Sequence, residues 1–219
     1  MAAGLVGVAV ACGTGFAVVA VLHTVLGDLP GDTELVRTAR LHPGRGGYEG
    51  WLLLDEATDG LPQAAAAAVL VLGLAARRRW WQAVAVAVAV GFAAALGGGT
   101  LLKQGWERPR PALMAPVGDV SAFSFPAGHA GGPAALVLLL ALVLAGWRWQ
   151  RPAVATGVLL VAATGFSQLT LARHYPSDLV AGWLWGMAVA AATWAAVGAV
   201  AGRSDEVRAR QGSNLRPSA

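Results

Sequence analysis

The sequence predicts an all-α integral membrane protein, folded as a bundle of six transmembrane helices. Of its 219 residues, 13% are charged, whereas a soluble domain carries about 25%. The mean hydropathy is +0.58, and 56% of the residues are hydrophobic. These apolar residues are concentrated in six runs, most of them close to the roughly 20 residues that a helix needs to cross a bilayer.

The six runs follow one another along the chain. Their approximate bounds are 2–26, 61–76, 80–102, 130–147, 152–171 and 179–201. The first run has no basic residue before it and is followed by its first charge at Asp28, which favours an uncleaved span over a signal peptide. Glycines inside the later runs predict close helix packing at Gly91, Gly157 and Gly186.

The runs form one predicted membrane domain, residues 1–202. Its longest connection, residues 27–60, mixes charged residues with Leu35, Leu41 and Trp51, a composition that predicts a helix lying on the bilayer surface. Residues 203–219 form a polar tail, expected in the cytoplasm, for which the composition favours no regular structure.

Basic residues are distributed unequally between the two sides of this domain. The connections after the second and fourth runs, together with the tail, carry nine arginines and two acidic residues. The opposite side carries ten acidic residues and seven cations. Because short basic loops remain in the cytoplasm, both termini are expected on the cytoplasmic side. The expected location is a bacterial cell membrane. The net charge of +4 therefore concerns topology, and no nucleic-acid partner is expected.

Two cations lie just outside the third run, on the predicted outer side. Lys103 is the only lysine in the chain, and Arg110 and Pro111 follow it after six intervening residues. Pro109 and Pro111 restrict the backbone of this segment, so its two cations are expected to hold an anion between them.

Two of the four histidines begin apolar runs on the same side. His129 ends a Pro-Ala-Gly-His sequence at the start of the fourth run, where the N–H groups of a helix N-terminus favour an anion. His174 precedes the sixth run, and Asp178 stands four residues later, where its carboxylate can fix the imidazole tautomer. Two histidines, a carboxylate and cations indicate phosphoryl transfer, with one histidine as nucleophile and the other as acid.

Taken together, three motifs resemble the signature of the type 2 phosphatidic acid phosphatase (PAP2) family. They are Lys103-x6-Arg110-Pro111, Pro126-Ala127-Gly128-His129 and Ser167-x6-His174-x3-Asp178. Their order, intervals and positions relative to the apolar runs match the family over about residues 27–201. The resemblance implies a PAP2-like six-helix fold, a lipid phosphate and membrane lipids as partners, and neither a metal ion nor another cofactor.

The resemblance also implies a role for each motif residue. His174 is the expected nucleophile, which forms a phosphohistidine, and Asp178 orients it. His129 is the expected general acid for the leaving group. The expected phosphate ligands are Lys103, Arg110, Ala127, Gly128, Ser167 and Gln168.

The chain departs from the family pattern at two of these positions. Ala127 stands where the family usually has serine, and Gln168 where it usually has arginine. Losing one preorganised donor reduces a rate by roughly 100- to 1,000-fold, and glutamine does not replace the charge of a guanidinium. Activity is still expected, although reduced, because both histidines and the carboxylate remain. As a hypothesis, the missing groups are supplied by Arg108 or Arg173 and by Ser121 or Ser124.

The sequence therefore predicts a metal-independent phosphatase that acts on a membrane lipid phosphate at the outer face. Candidate substrates are polyprenyl pyrophosphate, phosphatidic acid and phosphatidylglycerol phosphate, among which the motifs do not distinguish. Two alternatives stay open. One is a weakened or inactive binder of lipid phosphates, favoured by the two departures, and the other is a transferase that passes a phosphoryl or headgroup to another acceptor.

Overall fold

The protein is all-α, as predicted. A computed structural model describes residues 2–93, 100–113 and 121–214. Within these ranges the helices are α1 Ala2–Leu26, α2 Asp32–Ala39, α3 Tyr48–Ala57, α4 Gly60–Ala76, α5 Trp80–Phe92, α6 Thr100–Trp106, α7 Gly128–Val143, α8 Gln150–Thr170 and α9 Pro176–Asn214. The β pairing found in the same ranges is a single bridge between Pro109 and Phe123.

Helices occupy the six predicted apolar runs, but six complete membrane crossings are not confirmed. Among the described residues, three helices are long and apolar enough to span a membrane, and they lie within α1, α8 and α9. The pair α3 and α4, bent by 44°, adds a fourth if it forms one broken span. The helices α5 and α7 are apolar but shorter. Residues 94–99 of the third predicted run lie outside the described part of the chain.

The long connection between the first two predicted spans contains two helices, α2 and α3. The position of a helix on the bilayer surface stays a prediction. Val36 of α2 is fully buried against Ala172 and Tyr175, at the turn between α8 and α9. The N–H of Leu41 donates to the carbonyl of Thr170 at 2.8 Å. The connection therefore covers the α8–α9 turn and brings its acidic residues to that turn.

Glycines allow α7 to pack closely against both α9 and α8. A Cβ added at Gly186 of α9 would lie 2.0 Å from the carbonyl oxygen of Gly131 in α7, and one at Gly157 of α8 would lie 2.7 Å from Val137 Cγ2 in α7. The predicted packing role of Gly157 and Gly186 is confirmed. A Cβ at Gly91 would meet no described atom within 4 Å, so no close packing is seen there. The contact between α7 and α9 places the two motif histidines at the same end of the bundle.

The helix α9 continues beyond its apolar part as far as Asn214. The expectation of no regular structure was therefore wrong for residues 203–214. A helix already nucleated in the bundle is extended at one hydrogen bond for each added residue, so a polar sequence can continue it. The last five residues of the tail, 215–219, lie outside the described residues.

Candidate active site

His174, the predicted nucleophile, lies in the buried turn between α8 and α9 and is 0% exposed. Asp178 stands in the first turn of α9, with its Oδ2 3.6 Å from His174 Nδ1. That distance is longer than a hydrogen bond. The same oxygen accepts the N–H of Tyr175 at 2.8 Å. The carboxylate is therefore held beside the imidazole by the backbone at the start of α9.

Arg110 faces the other ring nitrogen of His174. Its Nη1 lies 3.3 Å from His174 Nε2 and donates to the carbonyl of Arg173 at 2.7 Å. Because a guanidinium has donors only, Nε2 is the acceptor and the ring proton belongs on Nδ1, facing Asp178. Burial lowers the pKa of His174 to about 3, against the opposing effect of Asp178. The imidazole is thus neutral, with its Nε2 lone pair directed towards a cation.

Lys103 and Arg110 converge on Ser121. Lys103 Nζ lies 3.1 Å from Ser121 Oγ, and Arg110 Nη2 lies 3.4 Å from the same atom. Arg110 Nε also donates to the carbonyl of Ser121 at 2.7 Å. Burial, together with the charge of Arg110, lowers the pKa of Lys103 to about 8. The structure therefore brings together the two cations identified from the sequence, with one of the two suggested hydroxyls between them.

His129 lies in the first turn of α7, with its ring centroid 6.3 Å from that of His174. Its Nε2 is 2.9 Å from Asp59 Oδ1. The hydrogen bond from His129 lowers the pKa of Asp59 to about 2. Asp59 was not among the predicted site residues. Its one signal in the sequence is an aspartate directly before an apolar run, which is typical of a helix N-cap.

The other residues of the second motif form the N-terminus of α7. Ala127 is fully buried, and its N–H donates to the carbonyl of Asp178 at 3.0 Å. Gly128 is the first residue of the helix, where an N–H has no acceptor within the helix. The backbone of this motif therefore joins the starts of α7 and α9, while Gly128 retains a donor.

Ser167 and Gln168 are both bound by protein groups. Ser167 Oγ donates to the carbonyl of Thr164 at 2.7 Å. Gln168 Nε2 donates to Asp55 Oδ1, and Arg173 Nη1 forms an ion pair with Asp55 Oδ2. Asp55, 2% exposed at the end of α3, therefore holds both side chains, although the sequence did not indicate such a role. The assignment of Ser167 and Gln168 as phosphate ligands stays a prediction.

Arg108 and Ser124, two of the suggested replacements, are also engaged within the protein. Arg108 donates to Asp178 Oδ1 at 2.6 Å and to Asp32 Oδ2 at 2.8 Å, and its side chain is 1% exposed. Ser124 Oγ donates to the carbonyl of Pro109 at 3.1 Å. These contacts argue against Arg108 and Ser124 as the missing phosphate ligands.

A cavity of about 390 Å³ opens beside His129. Its lining includes the charged groups Asp59 and Lys103 and the apolar side chains of Ala64 in α4 and Val90 in α5. The cavity therefore offers both charged and apolar surface to a ligand. In the described ranges, no three His, Cys, Asp or Glu side chains come together as a metal site would require.

The protein is similar to one known phosphatase in sequence and to another in fold. The chain is 36% identical over 121 residues to the decaprenylphosphoryl-5-phosphoribose phosphatase of Mycolicibacterium smegmatis, and these aligned residues make up 54% of this chain. The match spans 61% of the length of that relative. The fold is similar to the crystal structure of the first transmembrane PAP2 type phosphatidylglycerolphosphate phosphatase from Bacillus subtilis, with a TM-score of 0.72 and 18% identity. That similarity covers 89% of this chain and 96% of the other.

The part of the chain that contains the candidate site matches a protein family. Residues 82–201 match the family model described as the PAP2 superfamily. This range contains all three motifs, from Lys103 to Asp178. Since it covers more than half of the chain, the protein belongs to the PAP2 superfamily.

Proposed function

We propose that the protein is an integral membrane lipid-phosphate phosphatase that works through a phosphohistidine on His174. The observation that carries this proposal is the position of His174 Nε2, buried and 3.3 Å from Arg110 Nη1. Lys103 and Arg110 both donate hydrogen bonds to the hydroxyl of Ser121. A phosphoryl group bound by these two cations would lie beside Nε2. The Nε2 lone pair would attack phosphorus once the Arg110 guanidinium turns its donors to the phosphoryl oxygens, as nucleophilic catalysis requires.

The proposed reaction has two displacements. In the first, His174 Nε2 forms a bond to phosphorus while the bond to the lipid oxygen breaks, and His129 gives that oxygen a proton. The Nδ1–H of His174 faces Asp178, whose carboxylate stabilises the positive charge that develops on the imidazole. In the second, His129 takes a proton from water, the water oxygen attacks phosphorus, and the N–P bond breaks to release phosphate.

The lining of the cavity supports a lipid substrate. It combines the polar side chains of Lys103 and His129 with apolar residues of α4 and α5. The Mycolicibacterium relative is named for a decaprenyl-linked phosphate and the Bacillus protein for phosphatidylglycerolphosphate. Both are lipid phosphates, so a polyprenyl-linked phosphate and phosphatidylglycerol phosphate are the first substrates to test. The arginine distribution supports a site on the outer face.

A second candidate is a lipid-phosphate binder with little or no turnover. The observation that favours it is the contact of Gln168 with Asp55, since no guanidinium stands at position 168. A transferase remains a third possibility, because a phosphohistidine can pass its phosphoryl group to an acceptor other than water.

The test is phosphate release by the purified protein in detergent over a panel of lipid phosphates. We expect turnover that His174→Ala abolishes. Binding of a lipid phosphate without any turnover would support the binder. Products in which an added alcohol has acquired the phosphoryl group would support the transferase.

A further inference from the structure

Each histidine of the site faces its own aspartate, and the second pair lies partly outside the three motifs. We propose that Asp59 is a positioning residue that holds His129 as the proton donor to the leaving oxygen. This inference rests on the proposed function. It concerns a residue from the corner between α3 and α4, which the motif pattern does not include.

Asp59 is held in place by the start of α4. Its Oδ1 accepts the N–H of Gly60 at 2.6 Å, and the same oxygen lies 2.9 Å from His129 Nε2. The corner is held further by Gln63, whose Nε2 donates to the carbonyl of Thr58 at 2.6 Å. A carboxylate fixed in this way restricts the orientation of the His129 ring.

Charged groups of both signs line the cavity. Lys103, Asp59 and His129 are all among its lining residues. Asp59 Oδ1 lies 2.9 Å from His129 Nε2. A carboxylate at this distance fixes which ring nitrogen donates towards it and leaves the other nitrogen for the substrate.

The two ring nitrogens of His129 have different roles in the proposed proton transfer. Asp59 accepts the Nε2–H of His129, so the proton for the substrate comes from Nδ1. As the P–O bond breaks, its electron pair goes to the leaving oxygen, which takes the Nδ1 proton. His129 becomes neutral, and Asp59 keeps its charge and its hydrogen bond throughout.

The test depends on the leaving group. An alkoxide is a poor leaving group and requires protonation, whereas p-nitrophenolate leaves as a stable anion and requires almost none. Asp59→Asn keeps a good N-cap for α4 while removing the charge. We expect this variant to lose roughly 100-fold in kcat/KM for an alkyl phosphate and less than about fivefold for p-nitrophenyl phosphate. The ratio kcat/KM is used because it reports the first displacement and excludes hydrolysis of the phosphoenzyme.

The matched control is Glu56→Gln, an exposed carboxylate at the same corner, which should leave both values unchanged. Equal losses on the two substrates, or no loss on either, would overturn the inference while leaving the proposed function intact. No turnover by the unaltered protein on either substrate would overturn both. Should the asparagine variant not fold, Asp59→Ser also caps the helix, and the same substrate ratio decides.

Discussion

Arg108 Nη1 lies 2.6 Å from Asp178 Oδ1, and this contact joins the segment of the first motif to the carboxylate of the third. Its Nη2 lies 2.8 Å from Asp32 Oδ2, and its guanidinium stands 4.1 Å from the centre of the Tyr175 ring. Asp32 also accepts the N–H of Ser177 at 3.1 Å. The position of Asp178 beside His174 therefore depends on an arginine outside the motif pattern and on the helix α2.

Replacing Arg108 should destabilise the fold. Arg108→Ala leaves the buried carboxylates Asp32 and Asp178 without their shared counter-ion, which costs about 3–5 kcal/mol in the free energy of unfolding. Unfolding in mixed detergent micelles measures this loss. As the control, Arg37→Ala breaks the exposed pair with Glu34 at 2.9 Å, and this should cost less than about 1 kcal/mol. Similar losses in both variants would contradict the role given to Arg108.

Turnover should depend on Lys103. Lys103→Ala removes one of the two cations that converge on Ser121, and no described side chain at that hydroxyl other than Arg110 can replace its charge. We expect phosphate release to be abolished, measured by single-turnover assays in detergent. Lys103→Arg, which keeps the charge, should retain part of the activity. Near-normal release by the alanine variant would contradict the proposed phosphate site.

The affinity for inorganic phosphate should fall at alkaline pH. With a pKa of about 8, Lys103 is charged below that pH and neutral above it. Phosphate binding favours the charged form, so the dissociation constant should rise by up to about tenfold for each pH unit above 8. Isothermal titration calorimetry between pH 7 and pH 9.5 checks this. In Lys103→Arg the rise should be absent over that range, and an identical rise there would show that another group titrates.

Stability should fall as the pH is lowered from about 6.5 towards 4. The pKa of His174 is about 3 in the fold, against an ordinary value of 6.5. Between these values the unfolded chain binds a proton that the folded chain does not, so the free energy of unfolding rises with pH. The pKa of Asp59 is lowered from its ordinary value of 3.8 to about 2. Asp59 therefore contributes to the pH dependence of the free energy of unfolding only below about pH 3.8. His174→Asn should show a shallower pH dependence in chemical unfolding, and an unchanged slope would exclude His174 as the cause.

Restoring the family's arginine should raise the rate. Gln168→Arg places a guanidinium beside Asp55, which already binds Gln168 and Arg173. One added charged donor should raise kcat/KM by about tenfold on the best lipid phosphate. The control is Gln168→Met, which has a similar volume and no charge, and it should not gain activity. If the arginine variant is no faster, another group already supplies that charge.

The motif residues were identifiable from the sequence because they combine rare residue types with fixed intervals. A single lysine, two histidines at the starts of apolar runs and an aspartate four residues after one of them predicted the groups that the structure brings together around His174. The spacing of His174 and Asp178 is local, since four residues at the start of a helix suffice to bring the two side chains close. For the same reason, the helix positions followed from the apolar runs, although the number of complete crossings did not.

The sequence did not predict which groups the acidic residues of the connection 27–60 would contact. In the sequence, Asp32, Asp55 and Asp59 look like ordinary loop acids, and their pattern resembles that of Glu34 and Glu56, which lie outside the candidate site. Their partners Ser177, Arg173 and His129 lie 145, 118 and 70 residues away along the chain.

The sequence by itself determined the membrane class, the helix positions and the chemical groups of the three motifs. These depend on composition, on local periodicity and on spacing within single segments. The tertiary structure decided which cations converge on Ser121, which are bound by carboxylates, and that each histidine has its own aspartate. Whether a charge is exposed or engaged depends on groups brought to it by packing, and no local pattern records those groups.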